Sequence, residues 1–126
     1  MNLIIAVAVG GAIGAVGRYL VSGLVIQQIG SHFPWSTLTV NIIGSLLMGV
    51  LAETMKLMWS PTPEIKALLT VGILGAFTTF SAFSLDVVGL FEREEFVALI
   101  SYILLSVVSC VFALVFGVLV VRTIFS

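Results

Sequence analysis

Charge is what this sequence has least of. Lysine and arginine number 5 and aspartate and glutamate 6, so 9% of its 126 residues are charged, against about 25% in an ordinary soluble domain. With 60% hydrophobic residues and a mean hydropathy of +1.30, a soluble fold would have too little polar surface to cover its apolar bulk. The net charge of -1 comes without a basic tract, which excludes strong attraction to nucleic acid or to anionic lipid. Cysteine is nearly absent too: Cys110 is the only one, which rules out an internal disulfide and reads as a small packing residue in an apolar segment. One histidine, His32, allows no His/Cys cluster at metal-ligand spacing, and no phosphate loop or other enzyme signature is written in the chain.

What is present is apolar length. A helix crosses a bilayer with about 20 apolar residues, so four spans use roughly 80 and leave only short connections. The runs fall at about residues 2–26, 37–58, 65–91 and 96–124, giving an all-α membrane protein with one four-helix transmembrane domain over residues 1–126. The first run lacks a preceding basic region and exceeds a signal sequence in length, so it reads as a retained helix. Between runs stand the polar bend around Gln27, Gln28, Gly30, Ser31, His32 and Pro34, the SPTPE segment at 60–64, whose Ser60 or Thr62 can begin the next helix, and the EREE turn at 92–95. Trp35 and Trp59 fit interfacial anchors. Lys56, Lys66 and Arg122 lie on the side of the termini and Arg93 on the other. That weak bias mildly favours cytoplasmic termini and equally suits insertion in both orientations.

The chemistry sits within the spans. Gly10, Gly14 and Gly17 form a seam for close helix approach. Arg18, at membrane depth, can neutralise helix carbonyls, meet a partner subunit or draw an anion into a vestibule. Asn41, Ser45 and Gly49 share a face of the second helix; the Asn41 amide can join helices or offer its donors to an anion. Glu53 reads as solvated near the interface or paired with Lys56. In GILGAFTTFSAFS, residues 72–84, Phe77, Phe80 and Phe83 lie three apart beside Thr78, Ser81 and Ser84. Aromatic rings have positive edges, so phenylalanines can favour an anion without trapping it, and hydroxyls can replace part of its hydration. The glycine and threonine content permits a break in this helix, freeing carbonyls for water, protein or a cation. Tyr102, Ser106 and Cys110 stand four apart on the fourth helix; serine there either bonds back to its own helix or extends a line of neutral donors. Asp86 is the one carboxylate that proton coupling could use in the third span, with helix capping or interface solvation as the alternative.

GGAIGAVGRY in the first helix, TLTVNIIGSLLMG in the second and GAFTTFSAFS in the third resemble the Fluc fluoride channels, also called CrcB, over essentially the whole chain. The resemblance implies a passive fluoride-selective channel of the bacterial inner membrane, built as an antiparallel dual-topology homodimer with two pores that export cytoplasmic fluoride. It assigns Phe80, Phe83 and Asn41 to the pores, Ser81, Ser84, Tyr102, Ser106 and Cys110 to a polar track, and Arg18 to a vestibule or structural charge. It also implies a structural sodium ion at the dimer interface, held by the backbone carbonyls of Gly75 and Thr78. Two positions depart from the family pattern: Ala82 replaces a frequent hydroxyl, and Cys110 stands where serine is frequent. Two rivals remain: a small proton-coupled or multidrug transporter, which would want a carboxylate that the first helix lacks, and a noncatalytic subunit of a membrane complex.

Overall fold

A computed structural model describes residues 2–125. It contains four helical runs long and apolar enough to cross a membrane, and no strand among the described residues. Helix α1 (Leu3–Ile29) starts where the Asn2 side chain accepts the Ile4 N–H at 2.7 Å and ends at Gly30, whose φ of 97° favours glycine. It runs past the expected boundary and takes in Gln27 and Gln28. Helix α2 spans Trp35–Leu57.

The third run, Pro63–Glu92, is composite. Thr62 accepts the Ile65 N–H at 3.3 Å and Pro63 occupies the first turn of α3 (Pro63–Ala67), where a missing N–H costs nothing. A π-helical segment, Leu68–Leu74, and the short α4 (Gly75–Phe77) follow. The chain then bends through two extended residues, Thr78 and Thr79, into α5 (Phe80–Glu92). A turn with Glu94 at φ 59° leads to α6 (Phe96–Phe125).

Close backbone contact holds the spans together, as expected where water supplies no hydrophobic drive between helices. A Cβ on Gly14 would strike the carbonyl oxygen of Ile73, and one on Gly72 would come within 2.8 Å of Gly10 Cα. Gly10 and Gly14 thus form the seam that the sequence suggests, against the π segment, whereas Gly17 stands at ordinary distance from the Phe77 ring of α4. Gly49 meets Leu114 in the same way, and Gly117 meets Leu46 and Val50, making α2 and α6 the most extensively contacting pair. At the far end, Leu38, Leu90 and Tyr102 form a buried cluster flanked by Phe33 and Phe83.

One local expectation is corrected. Glu53 is neither solvated nor paired with Lys56: it is 5% exposed, and its Oε1 accepts from Arg122 Nε at 3.2 Å. Lys56 is exposed, whereas packing of α6 brings Arg122 to the buried carboxylate. The turn at 92–95 is exposed at Glu92, Arg93 and Glu94 and is tied to the loop before α2. Arg93 donates to the His32 carbonyl at 2.9 Å, and Glu95 contacts both Arg93 (2.8 Å) and His32 (3.2 Å).

Candidate functional site

The bend in the third run organises the site. Thr78 (φ -87°, ψ 159°) and Thr79 (φ -153°, ψ 124°) are extended, so the helical ladder stops after the Thr78 N–H, which still donates to Leu74 O at 3.1 Å. Asn41 takes over from α2: its Nδ2 donates to Thr79 O at 3.0 Å, and its Oδ1 accepts the Thr79 N–H at 2.8 Å. The Thr79 hydroxyl accepts the Ala82 N–H at 3.1 Å and caps α5. From the opposite side, Arg18 Nε donates to Ala76 O at 3.1 Å, satisfying a carbonyl at the end of α4 and supplying positive charge where the helix dipole is negative.

Among the carbonyls that lose their helical donors at the bend are those of Gly75 and Thr78. A helix would give the Thr79 N–H to Gly75 and the Ala82 N–H to Thr78; Asn41 and the Thr79 hydroxyl take them instead.

Beside the bend lies a groove of about 350 Å³ lined by Asn41, Ser45, Phe80, Phe83, Ser106 and Cys110, with Thr78 and Thr79 at the bend itself. Phe80 and Phe83 stand with ring centroids 5.3 Å apart, and Phe80 is 77% exposed. The Ser106 Oγ is the one buried side-chain oxygen or nitrogen among the described residues without a hydrogen-bond partner. It does not bond back to its helix, and its residue lines the groove.

The other sequence-nominated residues fall around this groove. Tyr102 is fully buried, stacks on Phe83 at 5.1 Å and donates to Asp86 Oδ2 at 2.9 Å; Asp86 therefore faces a phenol rather than capping a helix. Ser84 bonds back to Phe80 O at 3.0 Å, and Ser81 contacts the Thr79 hydroxyl at 3.2 Å, both exposed outside the groove lining. Arg18 and Gly75 also lie outside it. Phe77 leaves the stripe it shares with Phe80 and Phe83 in sequence: the bend turns it towards Gly17 and Gly44. Sequence reading missed Thr79 as a functional residue. Its signal was a hydroxyl three positions before Ala82, the spacing of a helix N-cap.

Comparison with known proteins places this sequence in a family. The family profile described as "CrcB-like protein, Camphor Resistance (CrcB)" matches residues 5–118. A protein of Rhodospirillum centenum named "Fluoride-specific ion channel FluC" is 47% identical over 123 residues, covering 98% of each chain. Proteins of the same name from Rhizobium johnstonii, 48% identical and covering 94% of each chain, and from Hahella chejuensis, 43% identical and covering 94% of this chain and 93% of the relative, are similar throughout.

Proposed function

This chain belongs to the CrcB family, and from that premise we propose that it is a passive, fluoride-selective ion channel that lets fluoride leave the cytoplasm down its electrochemical gradient. The observation that carries the reading is the unpartnered Ser106 hydroxyl on the groove that also holds Asn41 and the Phe80/Phe83 pair. Fluoride is small and strongly hydrated, and dehydrating it requires hydrogen-bond donors. A lysine would supply them with a deep well; hydroxyl and amide donors and ring edges supply them without trapping. Asn41 spends one of its two N–H donors on Thr79 O and keeps the other.

The functional unit in this reading is an antiparallel pair of copies with two pores. Its support is the open side of the groove. Phe80, Ser81 and Ser84 are exposed, and donors facing hydrocarbon would lose their hydration without replacement. A second, inverted copy covers them and completes the wall. Structural sodium at the interface finds support in the Gly75 and Thr78 carbonyls, both relieved of their helical donors; oxygen ligands of this kind suit a hard monovalent cation. Sodium there would neutralise carbonyl dipoles between the two copies, while the anion path runs through the side chains of the groove. Tyr102, held by Asp86 beneath Phe83, fixes the inner ring of the pair.

Liposomes loaded with fluoride and containing the purified chain test the function. Efflux on addition of an ionophore for the counter-cation, independent of a proton gradient, is the expected result; intact protein without efflux would sink the proposal. A proton-coupled transporter would instead move its substrate only with a pH gradient. Phe80→Ile and Phe83→Ile should each lower efflux by about 100-fold or more with the fold preserved, as read by gel filtration. Unchanged efflux would remove the ring pair from the pore.

A further inference from the structure

The rings of α5 depend on side-chain packing for their orientation, because α5 touches its neighbours sparingly. Behind Phe83 stands Tyr102, fully buried, with ring centroids 5.1 Å apart, and the Tyr102 hydroxyl donates to Asp86 Oδ2 at 2.9 Å. That bond fixes the length of the side chain but not the plane of its ring. Cβ and the hydroxyl oxygen lie on one axis, so rotation about it is left to the groups packed against the ring faces and edges.

Phe33 is such a group. Its ring meets Tyr102 at 5.6 Å and 87°, the edge-to-face arrangement that aromatic quadrupoles favour. Among the ring contacts of the described residues, it reaches Phe83 only through Tyr102. Phe33 belongs to no helix: it lies in the loop at 30–34, directly before Pro34, which disfavours the helical conformation in the residue preceding it. The loop is nevertheless fixed. The Trp35 N–H donates to Phe33 O at 2.7 Å, the Trp35 ring lies 4.6 Å from that of Phe33, and Arg93 donates to the neighbouring His32 carbonyl at 2.9 Å.

We infer that Phe33 is a positioning residue: from the loop between α1 and α2 it sets the ring plane of Tyr102 and, through Tyr102, the orientation of Phe83 at the groove. Orientation matters there because a phenyl ring attracts an anion at its edge and repels it at its face. The consequence for conduction rests on the channel reading above; the ring geometry does not.

Fluorine NMR tests it on the full chain in detergent, labelled throughout with 4-fluorophenylalanine. The Phe83 resonance is assigned by its loss in Phe83→Leu, and that of Phe112, 68% exposed, is assigned likewise and serves as reference. Phe33→Leu keeps apolar bulk and removes the ring. It should displace the Phe83 resonance by more than its line width and leave Phe112 in place. A residue that only stabilised the fold would lower the thermal midpoint and move neither. Phe33→Tyr keeps the ring and should keep the Phe83 resonance where it was. With Tyr102→Leu as background, Phe83 should no longer respond to Phe33→Leu. In liposomes, Phe33→Leu should lower fluoride efflux about tenfold and Phe33→Tyr should hold it within about threefold of the unmutated chain. If Phe33→Leu yields no folded protein, Phe33→Met, whose flexible side chain fills irregular gaps, must show the same displacement. A Phe83 resonance that stays in place in a folded variant without the ring overturns the assignment, and so does one that still responds once Tyr102 is gone. Full efflux from Phe33→Leu overturns its part in conduction. The expected resonances in a chain that carries no fluoride defeat the channel reading and leave the positioning of Phe83 standing.

Discussion

The two halves of the third span behave differently although they share one apolar run. Before the bend, the π segment and α4 lie backbone to backbone against α1, with Gly72 on Gly10 and Ile73 on Gly14. After it, α5 touches its neighbours sparingly and leaves Phe80, Leu85 and Val88 exposed. One half is clamped so that the other can present its side chains. The clamp is made of glycine because only the absence of a Cβ lets two helix backbones meet at that distance. Asn41 and Arg18 stand at the junction and tie it to α2 and α1 through three hydrogen bonds.

The largest effect should come from breaking the clamped half. Gly14→Leu places a side chain against the Ile73 carbonyl, a backbone atom that no rotamer change can move. We expect folded, monodisperse protein to fall at least tenfold, because overpacking against fixed backbone offers no cheap relief. Normal gel-filtration yield would show that the two halves are not so unequal. Next is the junction. Asn41→Ala leaves the Thr79 N–H and carbonyl unpartnered, costing about 2–4 kcal/mol for two orphaned groups. Its thermal midpoint in detergent should drop by several degrees, and fluoride efflux should fall at least tenfold. A variant that conducts normally would mean the bend holds its shape without Asn41. The smallest effect belongs to Gly11→Ala. Gly11 adjoins Gly10, yet a Cβ there meets nothing within 4 Å. Its midpoint should stay level or rise by the equivalent of up to about 1 kcal/mol, since alanine favours helix over glycine. A fall comparable to that of Gly14→Leu would show that the seam is wider than one face of α1.

Much of the architecture was legible because membrane spans are written in composition. Four apolar runs separated by Gly30 and Pro34, by Pro61 and Pro63, and by the charged turn at 92–95 become four spans, since hydrocarbon leaves a backbone few alternatives to helix. The glycine periodicity of α1 likewise predicted its seam. The site was legible in its residue types and less so in its arrangement. Phe77, Phe80 and Phe83 share a stripe only if the helix continues; two extended threonines send Phe77 to Gly17 and Gly44 instead. Glu53 looked paired with Lys56 because sequence ranks neighbours by spacing, whereas Arg122 reaches it through space.

The sequence by itself therefore determined that this chain crosses the membrane four times, which helix face of α1 packs closely, and which amide, ring and hydroxyl groups an anion could meet. Those properties depend on local composition and helical period, which need no distant partner. Only the tertiary structure decided that Asn41 closes on Thr79, that Arg122 neutralises Glu53, and that Ser106 keeps a donor free beside Phe80 and Phe83. Each of these joins residues on different helices, and helices that can slide along glycine seams do not reveal in sequence the register at which they stop.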